Sequence, residues 1–263
     1  MNLVPAIDVH GHYGMSTQEG ITDLHRQFMS ADAKAVAARA RAVGIEWTIA
    51  SPLLGLFPRG KADAVAGNEE AARVIPKVKG LRQWVFVNPR QPATYDQART
   101  MLKSPSCMGI KIHPEEHRYP IRKFGRTFFE FAAEHRAVVL THTGEKNSWP
   151  IDFIPFANEY PEVTLILAHL GHGCGQADLQ VRAIQASQHG NVFVDTSSAQ
   201  SIFPGLIEWA VGEIGAERIL FGTDTPLYSA SMQRARIDHA VLTAGQKRKI
   251  LRENALKLFG GKL

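Results

Sequence analysis

Two histidines stand two residues apart in the stretch AIDVHGHYG, residues 6–14. His10 and His12 follow a short apolar run, and in an extended strand residues two apart share a face, with Asp8 one step below them on that face. Two imidazoles on one face can chelate a single divalent ion. Further along, His142 lies in VVLTHTG, His169 in LILAHLG and Asp224 in ILFGTDTP, each just past an apolar run. Three imidazoles and a carboxylate suit one borderline ion, zinc first, with manganese, iron or cobalt as alternatives. His169 is placed either to ligate that ion or to act on water bound to it. A lone histidine at a strand end is more often a hydrogen-bonded residue than a ligand. The whole set in one recurring position is harder to explain as packing, because burying such groups unpartnered carries a large desolvation cost.

The elements that must position these residues are short runs rich in Val, Ile and Leu. They fall at 3–8, 46–51, 81–88, 107–113, 137–142, 163–169, 191–197 and 218–224. Near-continuous apolarity bounded by loop residues is the pattern of parallel strands buried on both faces. Helical stretches lie between them, at 31–43, 122–136, 178–189, 204–215 and 245–260. Asp32 is a candidate cap of the first, Pro204 opens the fourth and Gly215 closes it. Eight strand-like runs alternating with helices in 263 residues predict a single-domain (β/α)8 TIM barrel over residues 1–263. An open doubly wound sheet shares the periodicity. It gathers chemistry at one switch point, whereas here six strands each end in a polar residue, which favours a closed barrel with its site on the C-terminal rim.

Other residues carry weaker signals. Lys111 and His113 share a face in GIKIHP, and Lys111 reads either as an inward cation facing substrate or as a structural lysine paired with Asp8 or Asp224. Arg59, Arg90 and Trp149 lie in loops after the second, third and fifth strands. An arginine there can clamp a carboxylate, although solvated loop arginines are commoner. Asp195, Thr196 and Ser197 end the seventh strand, as substrate contacts or as a loop cap. The glycines of HLGHGCG do not have dinucleotide-binding spacing and follow a sixth strand rather than a first.

Composition narrows the classes. A net charge of +5 with no basic run longer than GQKRK argues against a nucleic-acid surface. Two distant cysteines, Cys107 and Cys174, fit no disulfide framework and point to a reducing compartment. No secretory signal pattern and no apolar run of membrane length is present, so a cytoplasmic protein without membrane partners is expected.

The chain resembles the amidohydrolase superfamily, in the branch called amidohydrolase 2 that includes aminocarboxymuconate-semialdehyde decarboxylase. IDVHGHYG, GIKIHP, LTHTG, LAHLG, LFGTDTP and ILRENALKLFG carry the resemblance, in the family's order from residue 7 to residue 260. It implies one divalent metal on His10, His12, His142 and Asp224, and a catalytic histidine at His169. Some superfamily members carbamylate a fourth-strand lysine to bridge two metals; this branch is expected to use neither carbamate nor second ion. Lys111, His113, Arg59 and Trp149 are then candidates for substrate contact. The first expectation for the reaction is hydrolysis of a small ester, lactone or amide by a metal-activated water, with His169 and Asp224 moving protons. The alternative on the same site is non-oxidative decarboxylation of an aromatic or muconate-type acid. A TatD-type deoxyribonuclease ranks lower, since KIHP stands where it needs an acid, and a non-catalytic barrel is disfavoured by the intact polar set. Barrels of this kind often pair, so a homodimer is an expectation.

Overall fold

The computed structural model describes residues 3–198 and 202–263. The eight strands are β1 Ala6–Tyr13, β2 Ile45–Pro52, β3 Leu81–Phe86, β4 Cys107–Ile112, β5 Val138–Thr141, β6 Thr164–Leu167, β7 Val192–Asp195 and β8 Ile219–Leu220. They form one parallel sheet in sequential order. Main-chain bonds from Val9 to Phe221, from Asp224 to His10 and from His12 to Thr225, at 2.9, 2.7 and 2.6 Å, close β1 against the end of β8. The result is a (β/α)8 TIM barrel.

The helices are α1 Asp23–Phe28, α2 Ala33–Ala42, α3 Ala64–Val74, α4 Ala93–Met101, α5 Ile121–Glu134, α6 Ile154–Glu159, α7 Leu179–Ala186, α8 Leu206–Ile214, α9 Ala230–Asp238, α10 Ala244–Arg248 and α11 Asn254–Phe259. Asp32 caps α2, its carboxylate accepting from the Ala35 amide at 2.8 Å. The expected start at Pro204 shifts to Leu206, because Gly205 takes a left-handed conformation at the cap. The expected closing helix is divided by a wider π-type turn at Lys249–Glu253. That turn frees the Ile250 carbonyl to accept from Phe221 beside β8, at 3.0 Å.

Two apolar layers hold the frame. Helices such as α5 bury Phe128, Phe129 and Phe131 against the outer face of the strands. Inside the barrel, Ile7, Val9, Trp84, Ile166 and Leu220 pack with Phe259 of α11. The Trp84 and Phe259 rings meet edge to face at 5.7 Å, and the Trp84 indole N–H donates to the Val9 carbonyl at 2.9 Å. The C-terminal helix therefore seals the bottom, leaving the rim above for polar groups.

The first strand differs from its expected reading. The apolar run suggested a strand ending at Asp8, but pairing continues to Tyr13 with a register shift between Asp8 and Gly11. That bulge inserts one extra residue, so Val9 joins the interior core while His10 and His12 also face the cavity. Asp8 consequently leaves the histidine face. It accepts from the Thr223 amide and hydroxyl at 3.0 and 2.7 Å, fastening β1 to the segment after β8.

Candidate functional site

At the C-terminal rim, His10, His12, His113, His142, His169 and Asp224 all line one cavity of about 450 Å³. A larger hollow of about 770 Å³ beside Thr225–Ser231 contains no histidine and no carboxylate. His10 and His12 come from within β1, whereas His142, His169 and Asp224 lie just past β5, β6 and β8. Gly11 separates the two β1 histidines because a Cβ there would sit 2.4 Å from the Thr48 methyl group on β2. His169 and Asp224 have φ of 72° and 59°, a left-handed conformation that costs a non-glycine residue of order 1–3 kcal/mol. The closing bonds between β1 and β8 hold Asp224 in that conformation and bring it against the histidines.

The innermost group is His10, His12 and Asp224. Asp224 Oδ1 is 3.0 Å from His12 Nε2 and 3.6 Å from His10 Nε2. Ligands bound tetrahedrally at 2.0–2.1 Å stand roughly 3.3 Å apart, so this spacing matches one divalent ion between them. The second nitrogen of each ring is already engaged. His10 Nδ1 lies 2.8 Å from Asp195 Oδ2, and His12 Nδ1 lies 2.9 Å from Ser51 Oγ. Carboxylate or hydroxyl support behind a metal-facing imidazole fixes its tautomer and directs Nε2 toward the cavity. Burial pushes the His12 pKa down to about 4, against the pull of Asp224. Burial opposes ionisation of Asp224, but His10, His12 and His169 beside it outweigh burial and hold its carboxyl below the usual range. A divalent metal requires deprotonated ligands, and the low pKa of His12 and the ionised carboxylate of Asp224 suit one. The donor set therefore fits such an ion.

His142 lines the same cavity, next to this trio. Its Nδ1 is 3.1 Å from His169 Nε2 and its Nε2 is 2.7 Å from Glu145 Oε2. His169 in turn places Nδ1 2.7 Å from Ser197 Oγ, and its amide donates to Asp195 Oδ1 at 3.0 Å. Burial drives the His169 pKa well below the usual imidazole value. Lys111 is fully buried beneath the cavity, with Nζ 2.8 Å from His10 Nε2. Burial lowers its pKa to about 8, Asp224 and Asp195 opposing the shift. The His113 ring stacks on His142 at 4.2 Å.

Two expected substrate contacts sit differently from the others. Arg59 reaches the cavity but is already paired, its Nη2 and Nε both donating to Glu116 Oε1 at 2.8 and 3.1 Å and its Nη2 to Glu145 Oε1 at 3.5 Å. Trp149 is half-buried at the start of the turn 150–153 and is not among the lining residues. The walls instead include Leu56, Phe57, Leu227 and Tyr228 from the loops after β2 and β8. Sequence reasoning passed over Ser51, Glu145 and Tyr228 and ranked Asp195 and His172 low. Asp195 obeys the same strand-tip rule as the histidines, which is the signal that could have raised it. Glu145 and His172 have no such signal, being brought in by loop packing.

The family model for amidohydrolases matches residues 7–261. The chain belongs to the amidohydrolase family. Among solved structures, this amidohydrolase resembles a 2,6-dihydroxybenzoate decarboxylase complexed with 2,6-dihydroxybenzoate, at 15% identity and TM-score 0.77 over 98% of this chain and 100% of the other. It also resembles a dihydroxybenzoic acid decarboxylase from a Polaromonas species with bound manganese and the inhibitor 2-nitroresorcinol, at 16% identity and TM-score 0.73 over 98% and 97% of the two chains. A third likeness, a Pseudomonas putida protein proposed to be a 2-pyrone-4,6-dicarboxylic acid hydrolase, has 19% identity and TM-score 0.67 over 99% of each chain. Comparison with curated protein sequences gave no match. Among the described residues, no helix is long and apolar enough to cross a membrane.

Proposed function

We propose that the protein is a metal-dependent decarboxylase of a small aromatic acid, with a hydroxyl beside the carboxylate as the favoured substrate pattern. The carrying observation is the convergence of His10 Nε2, His12 Nε2 and Asp224 Oδ1 at the base of the cavity, with His169 alongside. Family membership supports the reading. So does the likeness to dihydroxybenzoate decarboxylases, which moves decarboxylation ahead of the hydrolysis first expected.

In this proposal His10, His12 and Asp224 hold one divalent ion, with manganese and zinc the first to test because a similar decarboxylase carries manganese. When bound, that ion supplies Lewis-acid attraction for the substrate's negatively charged oxygens. The chain's own residues do the rest. Leu56, Phe57 and Leu227 offer apolar surface to a flat ring and keep water from its faces. Asp195 and Ser51 hold the β1 imidazoles in the tautomer that points Nε2 inward. Loss of carbon dioxide leaves a ring carbon that must take up one proton. His169 is the imidazole positioned to hold and deliver it, with Ser197 fixing its ring. Arg59, bound by two carboxylates, shapes the mouth and is not a free carboxylate clamp.

The test is incubation of the manganese- or zinc-loaded protein with 2,6-dihydroxybenzoate and its isomers under anaerobic conditions, measuring carbon dioxide. Release that disappears in His169→Asn supports the proposal. Hydrolytic opening of a pyrone dicarboxylate, with no carbon dioxide from any hydroxybenzoate, returns the reading to hydrolysis.

A further inference from the structure

The cavity is uneven in charge. Among the described residues that line it, Arg59 is the one lysine or arginine, set against the carboxylates of Asp224, Glu116 and Glu145. Asp224 belongs to the inner site, where a divalent ion and one substrate carboxylate would offset it. Arg59, Glu116 and Glu145 lie on a wall built from the loops after β2, β4 and β5. That wall carries two negative charges and one positive. Lys111 does not correct the imbalance, because its Nζ sits against His10 beneath the cavity, and Lys61 is paired with Glu19 at 2.7 Å.

Bonds between the three loops hold the wall in place. The Gly60 amide donates to the Glu116 carbonyl at 2.6 Å, and the His117 ring donates to the Gly55 carbonyl at 2.8 Å, which fastens the β2 loop to the β4 loop. Glu115 Oε2 accepts from the Asn147 side-chain amide at 2.9 Å, which ties the β4 loop to the loop that carries Glu145. Among the described residues, Arg59 supplies the hydrogen bonds of the Glu116 carboxylate, and Glu116 Oε2 has no partner. Swinging Arg59 toward a ligand would therefore strand a buried charge, which is costly. Glu145 is placed differently. Its side chain is 31% exposed, and its Oε1 meets Arg59 Nη1 and Nη2 at 3.5 Å each, the outer limit of a hydrogen bond. That oxygen is a lightly used acceptor on the cavity wall.

We propose that Arg59, Glu116 and Glu145 set the substrate class: the cavity takes an aromatic acid with one carboxylate and a hydroxyl or amino group on the ring edge remote from the inner site, and turns away a second carboxylate there. This rests on the reading above, in which an aromatic acid enters with its reacting carboxylate toward His10, His12 and Asp224. The far edge of the ring then meets the wall. A hydroxyl or amine there donates to Glu145 Oε1 in a charge-assisted bond. A carboxylate in the same place finds Arg59 committed to two glutamates and meets a net negative charge, a like-charge contact that disfavours binding. Glu145 is the group that touches substrate. Glu116 is a positioning residue, acting through Arg59 by keeping it from becoming a carboxylate clamp.

The experiment compares affinities rather than turnover. Full-length manganese-loaded protein is titrated calorimetrically with 2-hydroxybenzoates that carry either a second hydroxyl or a second carboxylate, at ring position 4 or 5. The wild type is expected to bind the hydroxyl compound about tenfold or more tightly than the carboxylate compound substituted at the same position. Glu116→Gln/Glu145→Gln removes both charges and frees Arg59, so this ratio should fall to near one or invert, with unchanged circular dichroism showing that the fold is intact. Glu116→Gln alone should lower the ratio part of the way. Arg59→Met should keep a ratio at least as large as that of the wild type. Equal or tighter binding of the dicarboxylates by the wild type, lost in Arg59→Met, makes Arg59 a clamp and overturns the proposal. A ratio unmoved by Glu116→Gln/Glu145→Gln overturns it as well. In both of these cases carbon dioxide released from a hydroxybenzoate leaves the decarboxylase reading standing, whereas binding of none of these acids overturns both.

Discussion

His12 on the first strand and Asp224 just after the eighth meet at 3.0 Å between Nε2 and Oδ1, although they lie near opposite ends of the chain. The contact follows from ring closure. The main chain of Asp224 donates to the His10 carbonyl at 2.7 Å, so the carboxylate is delivered by the same hydrogen bonds that complete the barrel. Removing either side chain should release the inner ion while leaving the apolar interior in place. Asp224→Asn is expected to lose that ion in a metal-binding titration and to lower turnover at least a thousandfold. Far-ultraviolet circular dichroism should be unchanged.

Asp195 is expected to act through its neighbours. It accepts from the His10 ring at 2.8 Å and from the His169 and Ser197 amides at 3.0 and 2.9 Å, and it is fully buried. Substitutions behind metal-facing histidines typically cost ~10–100-fold in affinity. Asp195→Asn should weaken Mn²⁺ binding by that factor, read by titration calorimetry. Affinity equal to wild type would show that Asp195 serves packing alone.

Gly11 links strand spacing to the site. Gly11→Ala places a methyl against the Thr48 side chain, and overpacking of this sort typically costs about 1–3 kcal/mol. Thr48→Ser removes the opposing methyl. The double variant Gly11→Ala/Thr48→Ser should therefore recover stability and metal affinity relative to Gly11→Ala, as measured by thermal unfolding with and without Mn²⁺.

His117 should give the protein an acid-sensitive component of stability. It is buried, its Nε2–H donates to the Gly55 carbonyl at 2.8 Å, and burial lowers its pKa to about 4. An unfolded chain protonates this ring near pH 6.5, so between pH 6.5 and 4 the unfolded state binds the extra proton. The stability from neutral His117 is therefore full above pH 6.5 and is lost as pH falls through that window. One proton corresponds to a slope of about 1.4 kcal/mol per pH unit. His117→Gln should reduce the slope of unfolding free energy against pH in this range by up to that amount, measured by urea unfolding at successive pH values.

Phe259 should be worth more than its place near the C-terminus implies. Its ring closes the barrel floor against Trp84, and Phe→Ala at such a site costs about 3–5 kcal/mol. Phe259→Ala is expected to shift the urea midpoint accordingly. A change below 1 kcal/mol would mean that α11 does not seal the interior.

The fold class was legible because parallel strands buried on both faces leave uninterrupted Val, Ile and Leu runs, and the barrel's rim collects whatever polar residues end them. His10, His12, His142, His169 and Asp224 were read as rim residues by that rule, and all five line the one cavity. The bulge in β1 was not, since strict alternation put Asp8 with the histidines while the extra residue turned it toward Thr223. Helix ends were also approximate: Pro204 looked like a first-turn residue until Gly205 took the cap.

The sequence by itself determined the alternation of strands and helices and the strand tips that carry imidazole or carboxylate, because both are local patterns of polarity along the chain. Only the tertiary structure decided which of those tips share a donor group. Nitrogen-to-oxygen distances of 3.0 and 3.6 Å set Asp224 with His10 and His12, while a 2.7 Å contact set His142 with Glu145. These groupings depend on barrel closure and on the approach of two loops at Gly144, which bring together residues whose separation along the chain carries no record of their meeting.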